Sequence, residues 1–99
     1  MIGTIVACTA IAVTGIGADI WSTERVFKKY PTGYEVNWHL FGGRRPTGLQ
    51  LWASDIILNA PYAGIVWYAL HNDMPWGAYA AAAILAGWHI VGFIHNVRQ

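Results

Sequence analysis

Three long apolar stretches constrain this chain more than any other feature, because each is about as long as a bilayer core is thick. They cover about residues 2–21, 49–70 and 75–96. A hydrocarbon core about 30 Å thick is crossed by about 20 residues of helix. Inside hydrocarbon only helices and closed barrels satisfy every backbone hydrogen bond, and continuous apolar stretches of this length favour helices. We therefore predict an all-α integral membrane protein with three transmembrane helices.

The composition excludes the main soluble classes. Of the 99 residues 56% are hydrophobic and 11% are charged, whereas soluble domains carry about 25% charged residues. A soluble chain this short would expose much of its surface to water, and so few charges could not cover it. The net charge of +1 argues against a nucleic-acid partner, and a single cysteine, Cys8, excludes a disulfide scaffold. We expect one membrane domain over residues 1–99, with the lipid bilayer as its first partner.

The basic residues predict the orientation in the membrane. All but one of the 6 Lys and Arg residues lie in the loop 22–48, and Arg98 follows the third stretch. The turn 71–74 contains none. The positive-inside rule therefore places the loop and the C-terminus in the cytoplasm and the N-terminus outside. Aromatic residues recur among the charges of the loop, so we expect it to lie along the cytoplasmic interface.

Polar groups within the apolar stretches predict a polar layer in the cytoplasmic half of the bilayer. Counting from the cytoplasmic ends of the stretches places Asp55 and His89 at a similar depth of about 10 Å on different helices. Asn59 shares the face of Asp55, and Asn96 shares the face of His89, with Gly92 clearing room between them. Because a lone ionisable group is costly in hydrocarbon, we predict that Asp55 and His89 are partners. Such a pair could share a proton near neutrality, or it could only set the helix register.

A second group of polar residues surrounds the end of the first stretch. Asp19 and Thr23 are one helical turn apart, and Glu35 and Asn37 alternate in the loop that follows. Their oxygens suit a hard cation. Alternatively, the hydroxyls at this point satisfy the carbonyls of a helix end, and Glu35 pairs with a lysine.

These residues also carry a resemblance. The pattern Asp-x-x-Ser-Thr followed by Gly-x-Glu-x-Asn, over about residues 19–37, resembles the signature of a family of small polytopic membrane proteins of unknown function. That family has Asp and Thr at the end of one helix and Glu-x-Asn before the next. The resemblance therefore implies Asp19, Thr23, Glu35 and Asn37 as site positions. Since the activity of the family is unknown, it implies no reaction and no cofactor.

The first stretch carries two stripes of small residues, which allow helices to approach closely in lipid. The first stripe comprises Cys8, Ala12, Gly15 and Asp19, and the second comprises Gly3, Ala7, Ala10, Thr14 and Ala18. The residues expected to face lipid are Ile2, Val6, Val13, Ile16 and Ile20. Three helices bury few faces against one another, so we expect a homo-oligomer or a larger membrane complex.

The sequence is consistent with three functions. The leading prediction is an accessory or oligomeric subunit of a membrane complex, whose polar layer stabilises the assembly. The first alternative is a small transporter or channel that passes a proton, cation or solute through that layer as a homo-oligomer. The second is a metal-dependent membrane enzyme with Asp19, Glu35 and Asn37 around the ion. The motifs of soluble enzymes are absent, which favours a protein that is not an enzyme. The sequence identifies neither a metal nor a cofactor.

Cysteine labelling in intact cells checks the predicted orientation. In a Cys8→Ser background, we expect Asn72→Cys in the short external turn to react with a membrane-impermeant maleimide. Arg44→Cys should react only after the membrane is permeabilised, because the basic loop is retained in the cytoplasm. The opposite pattern would invert the orientation.

Overall fold

Four helices make up most of the structure, a computed structural model that describes residues 1–32, 39–41 and 43–99. They are α1 (Ile2–Lys29), α2 (Gly48–Leu58), α3 (Ala60–His71) and α4 (Pro75–Val97). The described ranges contain no strand. The all-α prediction is confirmed.

α1 is longer than the first apolar stretch. It ends at Lys29, about two turns beyond the expected end near Trp21. The segment is helical because it contains no glycine or proline after Gly17, so nothing interrupts the backbone ladder. As a result, Asp19 and Thr23 lie inside a helix. The expectation that they mark a helix end is wrong, and the connection to α2 begins later than residue 22.

Arg45 closes the end of α1 from the far side of this connection. Its guanidinium donates to the carbonyl of Phe27 at 2.9 Å and to the carbonyl of Tyr30 at 3.1 Å. It also lies 4.7 Å from the centroid of the Phe27 ring, within the range of a cation–π contact. Carbonyls at a helix end lack partners within the helix, and Arg45 supplies one. The connection therefore returns to the helix that it leaves.

Two helices in the described part of the chain, α1 and α4, are long and apolar enough to cross a membrane. Only 22% and 17% of their most apolar windows are buried. The core helix of a soluble protein would be buried on most of its surface, whereas these helices expose theirs. The first and third stretches therefore form helices that are apolar enough to span a membrane, as expected, and the prediction of a third unbroken one is wrong.

The second apolar stretch breaks at Asn59, which separates α2 from α3. Pro61 has no N–H to donate to the carbonyl of Ile57, and its ring clashes with that carbonyl. The N–H of Tyr62 bonds instead to the carbonyl of Asn59 at 3.0 Å, three residues back. α2 and α3 have 11 and 12 residues, so each is about 17 Å long, half the thickness of a bilayer core.

α1 and α4 run parallel to each other. Cys8 shares a buried cluster with Ala78 near the start of both helices, and Tyr30 donates to the carbonyl of Gln99 at 2.7 Å beyond their ends. α2 and α3 run in the opposite direction along them. Leu51 of α2 packs in a second cluster with Ile16 and Ile20 of α1. The molecule measures 48 × 24 × 17 Å, and its long axis accommodates the length of α1.

The face of α1 that α2 covers was expected to meet lipid. Ile16 and Ile20 are 6% and 4% exposed, because Leu51 of α2 lies against them. Ile2, Val6 and Val13 are exposed, as predicted. Helical periodicity identifies an apolar face but does not distinguish a lipid from a neighbouring helix.

The first small-residue stripe lies at the contact of α1 with α4. Cys8, Ala12 and Gly15 are buried there. A Cβ placed on Gly15 would lie 2.8 Å from the Cα of Ala86, which is closer than van der Waals contact allows. The absence of a side chain at this position sets the distance between the two helices.

Gly15→Ala tests this contact. We expect the added methyl group to push α1 from α4 and to lower the free energy of unfolding by about 1–3 kcal/mol, as overpacking does. Thermal unfolding in detergent, followed by circular dichroism, measures the change. The control is Gly87→Ala on α4, where nothing lies within 4 Å of the added atom. It should be neutral or slightly stabilising, since alanine favours helix. Equal effects of the two variants would contradict the close approach.

Candidate functional site

A contact between an imidazole and a carboxylate, which is an ion pair when His89 is protonated, joins α1 to α4 at the centre of the site. Nδ1 of His89 lies 2.8 Å from Oδ2 of Asp19. The two side chains are 9% and 16% exposed, so the pair is largely withdrawn from solvent. Electrostatic attraction is stronger at such a position than at a protein surface. The pair therefore fixes the rotation of each helix relative to the other.

About two turns further along α4, Asn96 joins the same two helices. Its Nδ2 donates to Oγ of Ser22 and to Oγ1 of Thr23, at 3.0 Å in each case. Both hydroxyls donate in turn to the carbonyl of Asp19 at 2.9 Å, a common arrangement for Ser and Thr within a helix. The five residues Asp19, Ser22, Thr23, His89 and Asn96 form what we call the polar seam.

Gly92 makes the polar seam possible. It lies on α4 between His89 and Asn96, and a Cβ there would be 2.7 Å from Oδ1 of Asp19. A side chain would displace the carboxylate from the imidazole. The prediction that Gly92 clears room between these two residues agrees with the structure, although the group that occupies the room is Asp19.

The prediction that His89 pairs with Asp55 is wrong. The ion pair of His89 goes to Asp19 and not to Asp55. The physical reason is the length of α1. Asp19 is ten residues from the end of the helix at Lys29, about 15 Å, which brings it to the level of His89. The predicted depth was counted from the end of the apolar stretch, which placed Asp19 too close to the cytoplasmic surface of the membrane.

Asp55 and His89 nevertheless line one cavity. Its volume is about 270 Å³, and it lies between α1, α2 and α4. Its polar lining comprises Asp19, Thr23, His39, Asp55, Asn59 and His89. Nδ2 of Asn59 donates to the backbone carbonyl of Asp55 at 2.7 Å, so these two predicted residues also contact each other. We call this space the polar cavity.

His39 belongs to the polar cavity and was not among the predicted site residues. Its Nδ1 is buried and has no hydrogen-bond partner among the described residues. The N–H of the next residue, Leu40, donates to Oγ of the fully buried Ser54 at 2.8 Å, which attaches this segment to α2. No periodic pattern in a loop indicates such a contact, so the sequence contained no signal that could have located His39.

Two predicted site residues, Glu35 and Asn37, lie outside the described residues. Within residues 1–32, 39–41 and 43–99, no three or more His, Cys, Asp or Glu side chains lie together in a way that could hold a metal ion. A hard-cation site that includes Glu35 and Asn37 stays a prediction.

Comparison with protein-family models, with curated proteins and with solved structures finds no match to this chain. The resemblance to a family of small polytopic membrane proteins stays a prediction. Of the four positions that it implies, Asp19 and Thr23 lie together in the polar seam.

A double-mutant cycle on Asp19 and His89 tests the ion pair. His89→Ala leaves the carboxylate without its partner, and we expect a loss of about 1–3 kcal/mol in the free energy of unfolding. The cycle is completed with Asp19→Ala and the double variant, and denaturant unfolding in detergent measures all of them. The coupling free energy should fall in the range of about 0.5–3 kcal/mol seen for residues in contact.

The control for this cycle is His95→Ala, because His95 is exposed on the same helix. Exposed substitutions change stability by about 0.5 kcal/mol or less. Strictly additive effects of the two seam variants would show that the ion pair does not form.

Proposed function

We propose that this chain is a small multi-pass membrane protein whose polar cavity passes a proton, a small cation or a small polar solute. The parallel course of α1 and α4 supports the multi-pass arrangement. If both helices cross the bilayer in the same direction, the chain between them must cross back. α2 and α3 run antiparallel to α1 between its two ends. We infer that together they form the third crossing as a broken helix.

The position of the break supports a function within the bilayer. Backbone groups without partners are costly in hydrocarbon, so irregular backbone at that depth is tolerated where it lines a cavity. Asn59, the residue at the break, lines the polar cavity. In many transporters discontinuous helices of this kind form the binding site near the middle of the membrane.

The single observation that carries the proposal is the content of the polar cavity. Two carboxylates, Asp19 and Asp55, and two imidazoles, His39 and His89, line one space of about 270 Å³ in a chain with only 11% charged residues. Carboxylates and imidazoles bind and release protons, and ionisable groups within membrane segments mark ion and proton pathways in other proteins.

The bonds of the polar seam join two helices of the same chain, and this favours transport over a subunit that uses these bonds for assembly. His89 and Asn96 on α4 bond to Asp19, Ser22 and Thr23 on α1. These polar groups therefore stabilise the fold of one chain. A subunit whose polar layer stabilises contacts between chains is accordingly placed second.

One observation still favours an oligomeric subunit as the second candidate. Gly3, Ala10 and Thr14, from the second small-residue stripe of α1, are exposed, whereas the first stripe is covered by α4. An exposed stripe of small residues allows a second helix to approach closely in lipid. A homo-oligomer is also compatible with transport.

Asp55→Asn tests the proposed function. Reconstituted vesicles that contain the wild-type chain should dissipate an imposed gradient of protons or of K⁺, followed with an entrapped dye. Asp55→Asn removes an ionisable group from the polar cavity at almost constant volume, so we expect the rate to fall by about tenfold or more, the loss of one charge-assisted contact. Asp73→Asn, in the exposed turn before α4, is the matched control and should keep the wild-type rate.

Light scattering of the same samples in detergent distinguishes the two candidates. If Asp55→Asn leaves the mass of the particle unchanged and removes the flux, the transport proposal is supported. If the wild-type chain gives no flux and Asp55→Asn lowers the mass, the protein is an assembly subunit.

A further inference from the structure

One side of α1 changes character near the C-terminal end of the helix. The second small-residue stripe continues on this side into Trp21, Arg25 and Lys28, which follow one another at intervals of four and three residues. Residues at this spacing share one face of a helix. All three are exposed, Trp21 to 58%, because α1 turns other sides toward α2 and α4. We call these three residues the interfacial stripe.

The two cations of the interfacial stripe have no partner within the described parts of the chain. Neither Arg25 nor Lys28 makes a hydrogen bond or an ion pair with a residue of those ranges. The carboxylate of the adjacent Glu24 lies instead against Gly48 at the start of α2, where an added Cβ would be 2.8 Å from its Cδ. Two positive charges on one side of α1 are therefore left for a partner outside the chain.

Trp21 adds an aromatic ring one turn before Arg25. Its ring centroid lies 6.5 Å from that of Phe93 on α4, within the range of aromatic pairs. No described residue accepts a hydrogen bond from its indole N–H. Indole rings favour the boundary between hydrocarbon and head groups, where the apolar body and the polar N–H are both accommodated. The N–H of Trp21 can therefore donate to an ester or phosphate oxygen of a lipid.

The spacing of the interfacial stripe matches the layers of a bilayer leaflet. The hydrocarbon core is about 30 Å thick and the whole bilayer about 40–45 Å, so each head-group layer measures about 5–7 Å. Trp21 lies where the apolar stretch ends, and Arg25 and Lys28 lie about 6 Å and 10 Å further along the helix. Because helix side chains lean toward the N-terminus, both cations reach back toward the phosphates. When α1 crosses a membrane, the stripe thus meets successive parts of one lipid.

We propose that the interfacial stripe binds an anionic phospholipid in the leaflet at the basic end of the molecule. The head group lies at Arg25 and Lys28, and the ester groups lie at Trp21. A guanidinium binds a phosphate through two parallel hydrogen bonds, and the second cation favours a head group with net negative charge over a zwitterionic one. This inference goes beyond the proposed function. It requires only that α1 crosses the membrane, and it does not involve the polar cavity.

Charge complementarity favours a lipid over a second copy of the chain at this position. Two copies packed in parallel along the second small-residue stripe would bring Arg25 and Lys28 of one copy close to those of the other. Like charges repel each other, and the repulsion is weakly screened at such a short distance. An anionic head group has the opposite sign and neutralises the two cations.

Native mass spectrometry of the protein released from detergent micelles tests the inference. The protein is mixed with phosphatidylglycerol or with phosphatidylcholine of the same acyl chains, and the spectra give the fraction of protein that retains lipid. One Lys or Arg near an anionic surface strengthens binding about fivefold. We therefore expect the wild type to prefer phosphatidylglycerol by about 25-fold. Arg25→Gln and Lys28→Gln should each reduce this preference about fivefold, and the double variant should abolish it.

Lys29→Gln is the matched control, because it removes the same charge from the residue next to Lys28. The amine of Lys29 donates to the carbonyl of Gln99 at 2.8 Å, so this variant should keep most of the preference. All of these positions are exposed, where substitutions change stability little, and circular dichroism checks that each variant stays helical. Equal losses in Lys28→Gln and Lys29→Gln would show that the total charge of this end attracts the lipid, and would overturn the inference.

Two other results would also overturn it. One is equal retention of the two lipids by the wild type. The other is a wild-type particle with the mass of two chains and no lipid, which would place a second copy on this face. The vesicle flux assay reports on the polar cavity alone. A chain that prefers phosphatidylglycerol without flux would support the lipid site and contradict transport, and a chain that gives flux without this preference would do the reverse.

Discussion

The contact between α1 and α4 is the constraint on which the rest of the structure depends. At Gly15 the absence of a side chain lets the two backbones approach, and at Asp19 and His89 an ion pair fixes their rotation. Small residues and polar partners are the two means by which helices associate when lipid removes the hydrophobic driving force. Because the close approach and the ion pair lie within two turns of each other, α1 and α4 have one favourable register. α2 and α3 pack against this pair.

The helix break contributes a different property, since it brings polar backbone to the wall of a cavity. Pro61 and Asn59 interrupt a stretch that would otherwise form one continuous helix. Asn59, the residue at the break, lines the polar cavity. One proline therefore accounts for the loss of a predicted unbroken span and for the position of the break beside the cavity. The proposed transport depends on this break.

Much of the fold could be predicted from apolar length alone, whereas the pairing within the site could not. The lengths of the stretches predicted helices, and the spacing of His89, Gly92 and Asn96 correctly placed them on one face of α4. The end of α1 was predicted wrongly because the apolar stretch ends near Trp21. The helix continues to Lys29, since no glycine or proline interrupts it there. That error placed Asp19 at the wrong depth, and with it the partner of His89. The position of His39 depends on a tertiary bond from Leu40 to Ser54, which no local pattern encodes.

The parallel course of α1 and α4 has an electrostatic consequence. Each helix carries a macrodipole with partial negative charge at its C-terminal end, and two such ends here lie side by side and repel each other. The side chains of Lys28, Lys29 and Arg45 gather at this end of the molecule, and Lys29 donates across to the carbonyl of Gln99 just beyond α4 at 2.8 Å. A cation on one helix therefore compensates the end of its neighbour. The basic residues from which the positive-inside rule predicts the orientation also offset the partial negative charge at the two adjacent helix C-termini.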